Sequence, residues 1–269
     1  MRLLVRLSFN GRGFYGTQKQ EDDPTIQGVF EAALAQLYSV PVKVTICSRL
    51  DRYVNAFDFV LTFDVPDSRV SQDYLGYYLK RTLGRDIVIK QIREVPEAFS
   101  ARFDCDYKSY VYTLQNSAYP NPLLNGITYV PAHLLSVDKL SEALSLFVGP
   151  HDFRYFATPE GEEKTAIDVR SIEVSQLGDL VFLRFVAKSF LRYQVRFMVG
   201  ASLRYATGKV SLSKIATLLT GKEVSYLKLK AEPQALTLEA IHYPSLEGEK
   251  EPPKGIPCFF NPGAELYNS

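Results

Sequence analysis

Apolar positions along this chain alternate with a period of two, then recur at helical spacing, and the exchange happens in both halves. Residues 2–9 (RLLVRLSF) predict a strand broken by Arg6, and Asn10-Gly11-Arg12-Gly13 predicts a turn. Ile26, Val29, Phe30, Ala33, Leu34 and Leu37 then follow Asp22-Asp23-Pro24, which predicts a helix with an acidic N-cap and proline at its first position. Strands are expected near 42–48 and 57–65. A second helix runs from a Ser71 cap through Tyr74, Leu75, Tyr78, Leu79 and Leu83 to a stop at Gly84. The β-branched run Ile87-Val88-Ile89 opens another strand, and the order is βαββαβ.

The second half repeats the plan. Tyr107 to Gln115 reads as a strand, and Leu140, Ala143, Leu144 and Phe147 line one face of a helix ending at Gly149. Strands near 167–176 and 180–187 flank the hairpin signal Leu177-Gly178-Asp179. A helix around 190–206, another from about Ser211 to Thr220 closed by Gly221, and a strand from Leu236 to Tyr243 follow. This order predicts an α+β protein of two ferredoxin-like (split β-α-β) domains sharing a mainly antiparallel mixed sheet, helices on one side; the positive charge of the second half adds the expectation of a basic cleft between the domains. The expected divisions are an N-terminal α/β domain over 1–105, a C-terminal one over 106–245, and an extended tail over 246–269 rich in Glu, Lys and Pro.

Composition narrows the class of chemistry. With 269 residues and 46% apolar content the chain can bury a full core. No apolar run approaches the ~20 residues that span a bilayer, and Met1 to Val5 run into the strand-like pattern rather than reading as a signal peptide. Cys47, Cys105 and Cys258 are odd in number and far apart, and His133, His151 and His242 are not at metal-ligand spacing. A cytoplasmic protein without a metal is expected.

The net charge of +1 hides a segregation. Between Asp179 and Glu223 there is no acidic residue, while Arg184, Lys188, Arg192, Arg196, Arg204, Lys209, Lys214 and Lys222 all fall in that window. Such a stretch predicts a local field for a polyanion, although basic helix faces are also common on solvated surfaces. In Ser48-Arg49-Leu50-Asp51-Arg52 a carboxylate stands two residues after an arginine, in a loop feeding the strand Phe57 to Val65. An arginine there can hold the acid ionised while the loop keeps it within reach of a substrate, which makes Asp51 a candidate nucleophile or general base. Read alone, the pair is first of all a surface ion pair worth little.

Several separated segments together resemble the bacterial tRNA pseudouridine synthase A family. Phe9 to Gln18 resembles its first strand and turn, and Thr25-Ile26-Gln27-Gly28 with Phe30 to Leu34 its first helix. Ser48-Arg49-Leu50-Asp51 falls where the family has Gly-Arg-Thr-Asp with its catalytic aspartate. Phe99-Ser100-Ala101-Arg102-Phe103 and Lys108-Ser109-Tyr110-Val111-Tyr112 resemble its Ala-Arg-Phe and its active-site tyrosine strand. Gly149-Pro150-His151-Asp152-Phe153 with Phe156 matches a Gly-x-His-Asp-Phe-x-x-Phe signature. Lys164-Thr165 with Arg170 and Ile172, and Ser189-Phe190-Leu191 with Val195-Arg196 and Gly200, complete an ordered set over residues 1–243.

The resemblance implies isomerisation of uridine to pseudouridine at positions 38, 39 and 40 of the tRNA anticodon stem and loop. It implies no cofactor, tRNA as partner, and a homodimer. Asp51 would be the essential carboxylate, Arg49 its partner, Tyr110 the ring stacking on the target base, and Arg196 a contact to Asp51 from the second domain. Arg12, Lys188, Arg192 and Arg204 are candidate RNA contacts by charge and position, and Arg102, Phe190 and Leu191 are candidate substrate-binding residues on the matched segments. Pattern alone leaves other readings open: one of Tyr110 and Tyr112 as core, Arg192 and Arg196 as a solvated face at i, i+4 spacing, and His151-Asp152 as a capped loop. The family's loop usually continues Asp-Ala-Gly-Val-His-Ala, whereas this chain has Asp51-Arg52-Tyr53-Val54-Asn55-Ala56. Tyr53 in the glycine's place predicts a loop without a positive φ there. From that departure comes the alternative of a catalytically altered paralogue that binds structured RNA.

Overall fold

The alternating run at the N-terminus forms β1 (Arg2–Phe9), and the arginine at its centre, Arg6, turns inward. In the computed structural model Arg6 is buried, with its guanidinium 2.6 Å from Glu247 and 3.6 Å from the buried Asp58. A cation is tolerated inside because carboxylates meet it there. The structure describes residues 1–67, 69–158, 161, 164–221 and 229–260. The chain divides into two units, one made of Met1–Asp106 with Ala240–Lys250, the other of Tyr107–Glu239 with the segment from Glu251 onward.

In the first unit β1 is followed by a 3-10 turn (Gly11–Gly13), α1 (Ile26–Tyr38), β2 (Val44–Ile46), β3 (Asn55–Asp64), α2 (Gln72–Thr82) and β4 (Ile87–Val95). The strands run in the order β4-β1-β3-β2 with antiparallel pairing throughout. Helix α1 does not start on the acidic pair. Thr25 is its N-cap, its hydroxyl accepting from the Gly28 N–H at 3.1 Å, with Pro24 one residue outside. A threonine in extended conformation satisfies an orphan amide that Asp22 and Asp23 are too far back to reach, worth about 1 kcal/mol. Ile26, Phe30, Ala33 and Leu34 form its buried stripe, and each fully buried Phe or Leu contributes roughly 2 kcal/mol. Ser71 caps α2 as predicted, and Gly84 follows it at φ 77°.

The second unit holds β5 (Tyr107–Gln115), α3 (Val137–Ser145), β6 (Gly149–Asp152), β7 (Ala166–Leu177), β8 (Leu180–Ala187), α4 (Gln194–Ala206), α5 (Leu212–Leu219) and β9 (Leu236–His242), which passes into the first unit at Ala240. Its strand order is β9-β5-β8-β7-β6. Pairing of β5 with β8, β8 with β7 and β7 with β6 is antiparallel, and every residue of β5 is buried. Helix α3 packs on α4, and Phe147, Phe153 and Phe156 cluster beside it, with ring centroids 5.0 Å apart for Phe147 and Phe156. The α+β class and mainly antiparallel pairing hold in both units. Two boundaries move. Gly149, at φ 94°, opens the short strand β6 rather than closing the helix, and α4 begins at Gln194 rather than near 190. Beyond β9, α6 (Pro244–Glu247) belongs to the first unit.

The tail is seated, not free, as far as it is described. Tyr107 donates its hydroxyl to the Glu251 carbonyl at 3.1 Å, Ser175 and Arg184 both donate to the Gly255 carbonyl, and the Phe260 ring meets Phe182 at 5.1 Å. Residues 261–269 of the predicted tail, with Lys222 and Glu223 of the basic window, lie outside the described residues.

Candidate active site

The loop bearing Asp51 is built by the turn that precedes α1. Thr17 clamps it: the Thr17 N–H donates to the Leu50 carbonyl (3.1 Å), its hydroxyl donates to the Ser48 carbonyl (3.0 Å) and accepts from the Leu50 N–H (2.8 Å). Gly16, at φ 94°, leaves room where a Cβ would stand 2.6 Å from the Leu50 carbonyl oxygen. A Cβ on Gly11 would collide with the Val54 carbonyl, and the Gly11 N–H donates to Asn55 Oδ1 at 2.9 Å. Leu50 is buried under the loop, Asp51 is half-buried and Arg49 is exposed. The Thr17 hydroxyl is thus the clamp, and Asn55, one of the departures in the loop, is the tie.

Tyr53 contradicts the expectation that a tyrosine excludes a positive φ. It adopts φ 70° in a turn closed by the Val54 N–H on the Asp51 carbonyl at 3.1 Å, with the positive φ at the third turn residue alone. That is the type II pattern, in which glycine is the usual occupant. A side chain there costs roughly 1–2 kcal/mol. The turn is over-determined by Gly11, Gly16 and Thr17, and the tyrosine ring gains a partner, since the Arg52 guanidinium lies 4.5 Å from its centroid and 3.7 Å from that of Tyr15.

Of the other candidates in this unit, Arg12 is exposed on the 3-10 turn whose Gly11 abuts the Asp51 loop. Arg102 is exposed on the turn after β4, its guanidinium 5.3 Å from the centroid of the exposed Phe103 ring.

The second unit brings together Tyr110, Phe190, Leu191, Arg192 and Arg196. Tyr110 is buried on β5 and meets Phe190 edge to face, with centroids 5.4 Å apart. Tyr112 is the core member of the pair: it is fully buried, and burial, with Glu232 and Tyr129 nearby, pushes its phenol far above the usual range against the pull of Arg196. Leu191 is buried, its N–H held by Gln194 Oε1 at 2.8 Å, and Tyr193 turns the chain into α4 at φ 64°. The i, i+4 pair is no solvated helix face. Arg192 precedes the helix, and Arg196 is buried in its first turn, its Nε donating to the Ala231 carbonyl at 2.8 Å.

Two residues that sequence reasoning missed complete this cluster. The Tyr193 ring has Lys230 at 3.7 Å, Arg192 at 4.9 Å and Arg196 at 5.4 Å from its centroid. Lys230 reaches it because residues 229–231 run against α4 at Gly200, where any Cβ would collide with the Leu229 carbonyl, and the Ala231 N–H donates to the Arg196 carbonyl. The basic window, in contrast, loses a member. Arg184 is buried, bidentate to Glu239 at 2.7 and 2.9 Å and paired with Glu173 at 2.7 Å, so its charge is neutralised inside the unit. Lys188, Arg192, Arg204 and Lys209 are exposed. Asp152 accepts from the Arg154 backbone (3.0 Å) and guanidinium (2.8 Å), and a Cβ on Gly221 would stand 2.6 Å from its carboxylate. It caps a loop.

Comparison with known proteins supplies the family. A family model described as tRNA pseudouridine synthase matches residues 143–244. The tRNA pseudouridine synthase A of Aquifex aeolicus (strain VF5) is 34% identical over 242 residues, 88% of this chain and 98% of that protein. That of Akkermansia muciniphila is 32% identical over 252 residues, 90% of this chain and 95% of that protein. That of Pseudothermotoga lettingae is 31% identical over 244 residues, 90% and 99% of the two chains.

Proposed function

This chain belongs to the tRNA pseudouridine synthase A family, and on that premise we propose that it isomerises uridine to pseudouridine at positions 38, 39 and 40 of the tRNA anticodon stem and loop, with Asp51 as the essential carboxylate and no cofactor. The observation that carries the reading is identity of 34% over 88% of the chain, joined to an Asp51 loop that closes in a turn with Tyr53 at φ 70°, a conformation glycine takes freely. That backbone counts against the reading as a catalytically altered RNA-binding paralogue.

The reaction detaches uracil from C1′, turns it and rejoins it through C5, so no electrons leave the substrate. Asp51 either attacks C1′ or takes the proton from C2′ as the glycosidic bond breaks. Arg49 orients the acid and supplies positive charge beside it. Tyr110, set against Phe190, offers the uracil a flat face that does not dictate its edge. Arg196, fixed by the Ala231 carbonyl, serves as the partner guanidinium from the second unit. The target must leave its stack to be reached, and Lys188, Arg192, Arg12 and Arg102 hold the displaced strand. The strand orders β4-β1-β3-β2 and β9-β5-β8-β7 support reading both units as ferredoxin-like domains, the first over 1–105 and the second from 106, with residues 240–250 returning to the first. The enzyme acts as a homodimer in the cytoplasm; among the described residues no helix is long and apolar enough to cross a membrane.

Incubating the purified chain with unmodified tRNA transcripts and mapping pseudouridine tests this. Product at 38–40 is expected, and Asp51→Ala should lower the single-turnover rate by about 10³-fold or more, near the upper range for a positioned acid or base. Tight binding by folded protein with no product would overturn it.

A further inference from the structure

The loop that carries Asp51 also holds a cation for which the reaction above has no use. Arg52 follows Asp51 directly and is exposed, yet its guanidinium lies over the Tyr15 ring at 3.7 Å and the Tyr53 ring at 4.5 Å. Among the described residues it forms no ion pair. An arginine serving as a surface ion pair would have a carboxylate at its edge. The guanidinium carbon sits over two rings, a contact that uses no N–H donor in a hydrogen bond and leaves the donors for a ligand.

Both rings stand on fixed backbone. The Tyr15 N–H donates to the Pro24 carbonyl at 2.8 Å, and the Tyr15 carbonyl accepts from Gln20 Nε2 at 2.9 Å. Tyr53 is locked by the turn closure onto Asp51 and by Gly11 packed against its carbonyl carbon. Tyr53 also holds φ 70°, a conformation that glycine takes without steric cost. What the tyrosine adds and a glycine cannot is the second ring under Arg52. Strain kept at such a place points to a function.

We propose that Arg52 is a phosphate-binding residue for the RNA strand at the nucleotide entering the Asp51 loop, with Tyr15 and Tyr53 as the rings that fix its guanidinium. This rests on the RNA-isomerase reading of the same loop. A planar fork held over two rings presents two parallel N–H groups to the two non-bridging oxygens of a phosphodiester. Consecutive Cα atoms are about 3.8 Å apart, so a phosphate gripped by Arg52 belongs to the nucleotide handled by Asp51 or to its immediate neighbour. Arg52 then sets where the target ribose stops relative to the acid.

The test uses the full chain and an unmodified tRNA transcript. The dissociation constant is measured over a series of salt concentrations, beside the melting temperature and pseudouridine formation by the wild type. Arg52→Ala should weaken binding about tenfold at low salt and reduce the slope of log Kd against log salt by about 0.7 to 0.9, the contribution of one phosphate contact. Arg52→Lys should retain the slope and lose several-fold in affinity, because an ammonium keeps the charge without the fork. Tyr53→Gly should melt at the same or a higher temperature yet bind several-fold more weakly. An unchanged slope and affinity in Arg52→Ala would overturn the proposal. So would a lowered melting temperature with the slope intact, which would make the stack a strut for the loop. A wild type that forms no pseudouridine would overturn the isomerase reading instead, and the salt slope would still report whether Arg52 touches RNA.

Discussion

Two tyrosines, one in each unit, are held in the left-handed backbone region with a cation over the ring, and they use the same chemistry to different ends. Tyr53, at φ 70°, shares one guanidinium with Tyr15 beside a carboxylate, whereas Tyr193, at φ 64°, gathers Arg192, Arg196 and Lys230 around a single ring. The first arrangement fixes the direction of one cation next to an acid. The second concentrates charge and places one of its cations, Arg196, under cover with a carbonyl partner. What surrounds each cation decides its work. Arg184, in the same acid-free stretch as Arg196, meets Glu239 and Glu173 and has no charge left to offer a polyanion.

Both regions depend on a glycine that admits a neighbouring carbonyl, and replacing each glycine should break them differently. Gly200→Ala forces a methyl into the Leu229 carbonyl from inside a buried helix. The helix-propensity gain of about 1 kcal/mol is outweighed by overpacking of about 3 kcal/mol, so chemical denaturation should show a net loss near 2 kcal/mol or more. Gly11→Ala pushes on the Val54 carbonyl in a loop that can yield. Its expected cost in stability is smaller, but displacing Asp51 by about 1 Å should lower the single-turnover rate on the order of 10²-fold. Equal effects on stability and rate at the two sites would dissolve the comparison. Next in size is Arg196→Ala, which removes a buried charged hydrogen bond to Ala231, worth about 1.5–3 kcal/mol. Its melting temperature should fall visibly, and Arg192→Ala, at an exposed position, should leave it close to wild type.

How far these regions could be read in advance follows from how far apart their parts lie in sequence. Strand β5 falls on the predicted residues, Ser71 and Gly84 bound α2 as expected, and Gly178, at φ 57°, turns the β7–β8 hairpin, because alternation, capping and turn chemistry are local signals. Strand β6 escaped notice: four residues containing a proline show no alternation. The start of α4 was misplaced because Leu191 gives its N–H to the Gln194 side chain and Tyr193 turns the backbone left-handed. The neutralisation of Arg184 needs Glu239, 55 residues on, and the Tyr193 cluster needs Lys230, neither of which periodicity reveals. At Tyr53 the residue type argued against a conformation that surrounding backbone contacts impose. Asp51, Arg49, Tyr110 and Arg196 were named through motif resemblance, and the geometry adds what holds the Asp51 loop, Tyr110 and Arg196.

The smallest expected effect draws the line between the two tyrosines most finely. Lys230 contacts Tyr193 through its ammonium alone, at 3.7 Å from the ring centroid, with residues 229–231 held to α4 by backbone hydrogen bonding at Ala231. Its removal should therefore leave the segment in place, and Lys230→Ala should change stability by no more than about 0.5 kcal/mol, the scale of an exposed cation–π contact. If the Tyr193 cluster gathers charge for RNA phosphates, the same variant should lower the salt slope of tRNA binding by up to about one unit. Lys230→Arg should restore it, since charge rather than fork geometry matters there. At Arg52 the order of the two residues is reversed: lysine should not substitute fully for arginine. Measuring the four salt slopes side by side, Arg52→Ala, Arg52→Lys, Lys230→Ala and Lys230→Arg, separates a site that directs one phosphate from one that attracts many. If lysine and arginine prove interchangeable at both positions, neither ring is fixing a direction and both regions are simple positive patches.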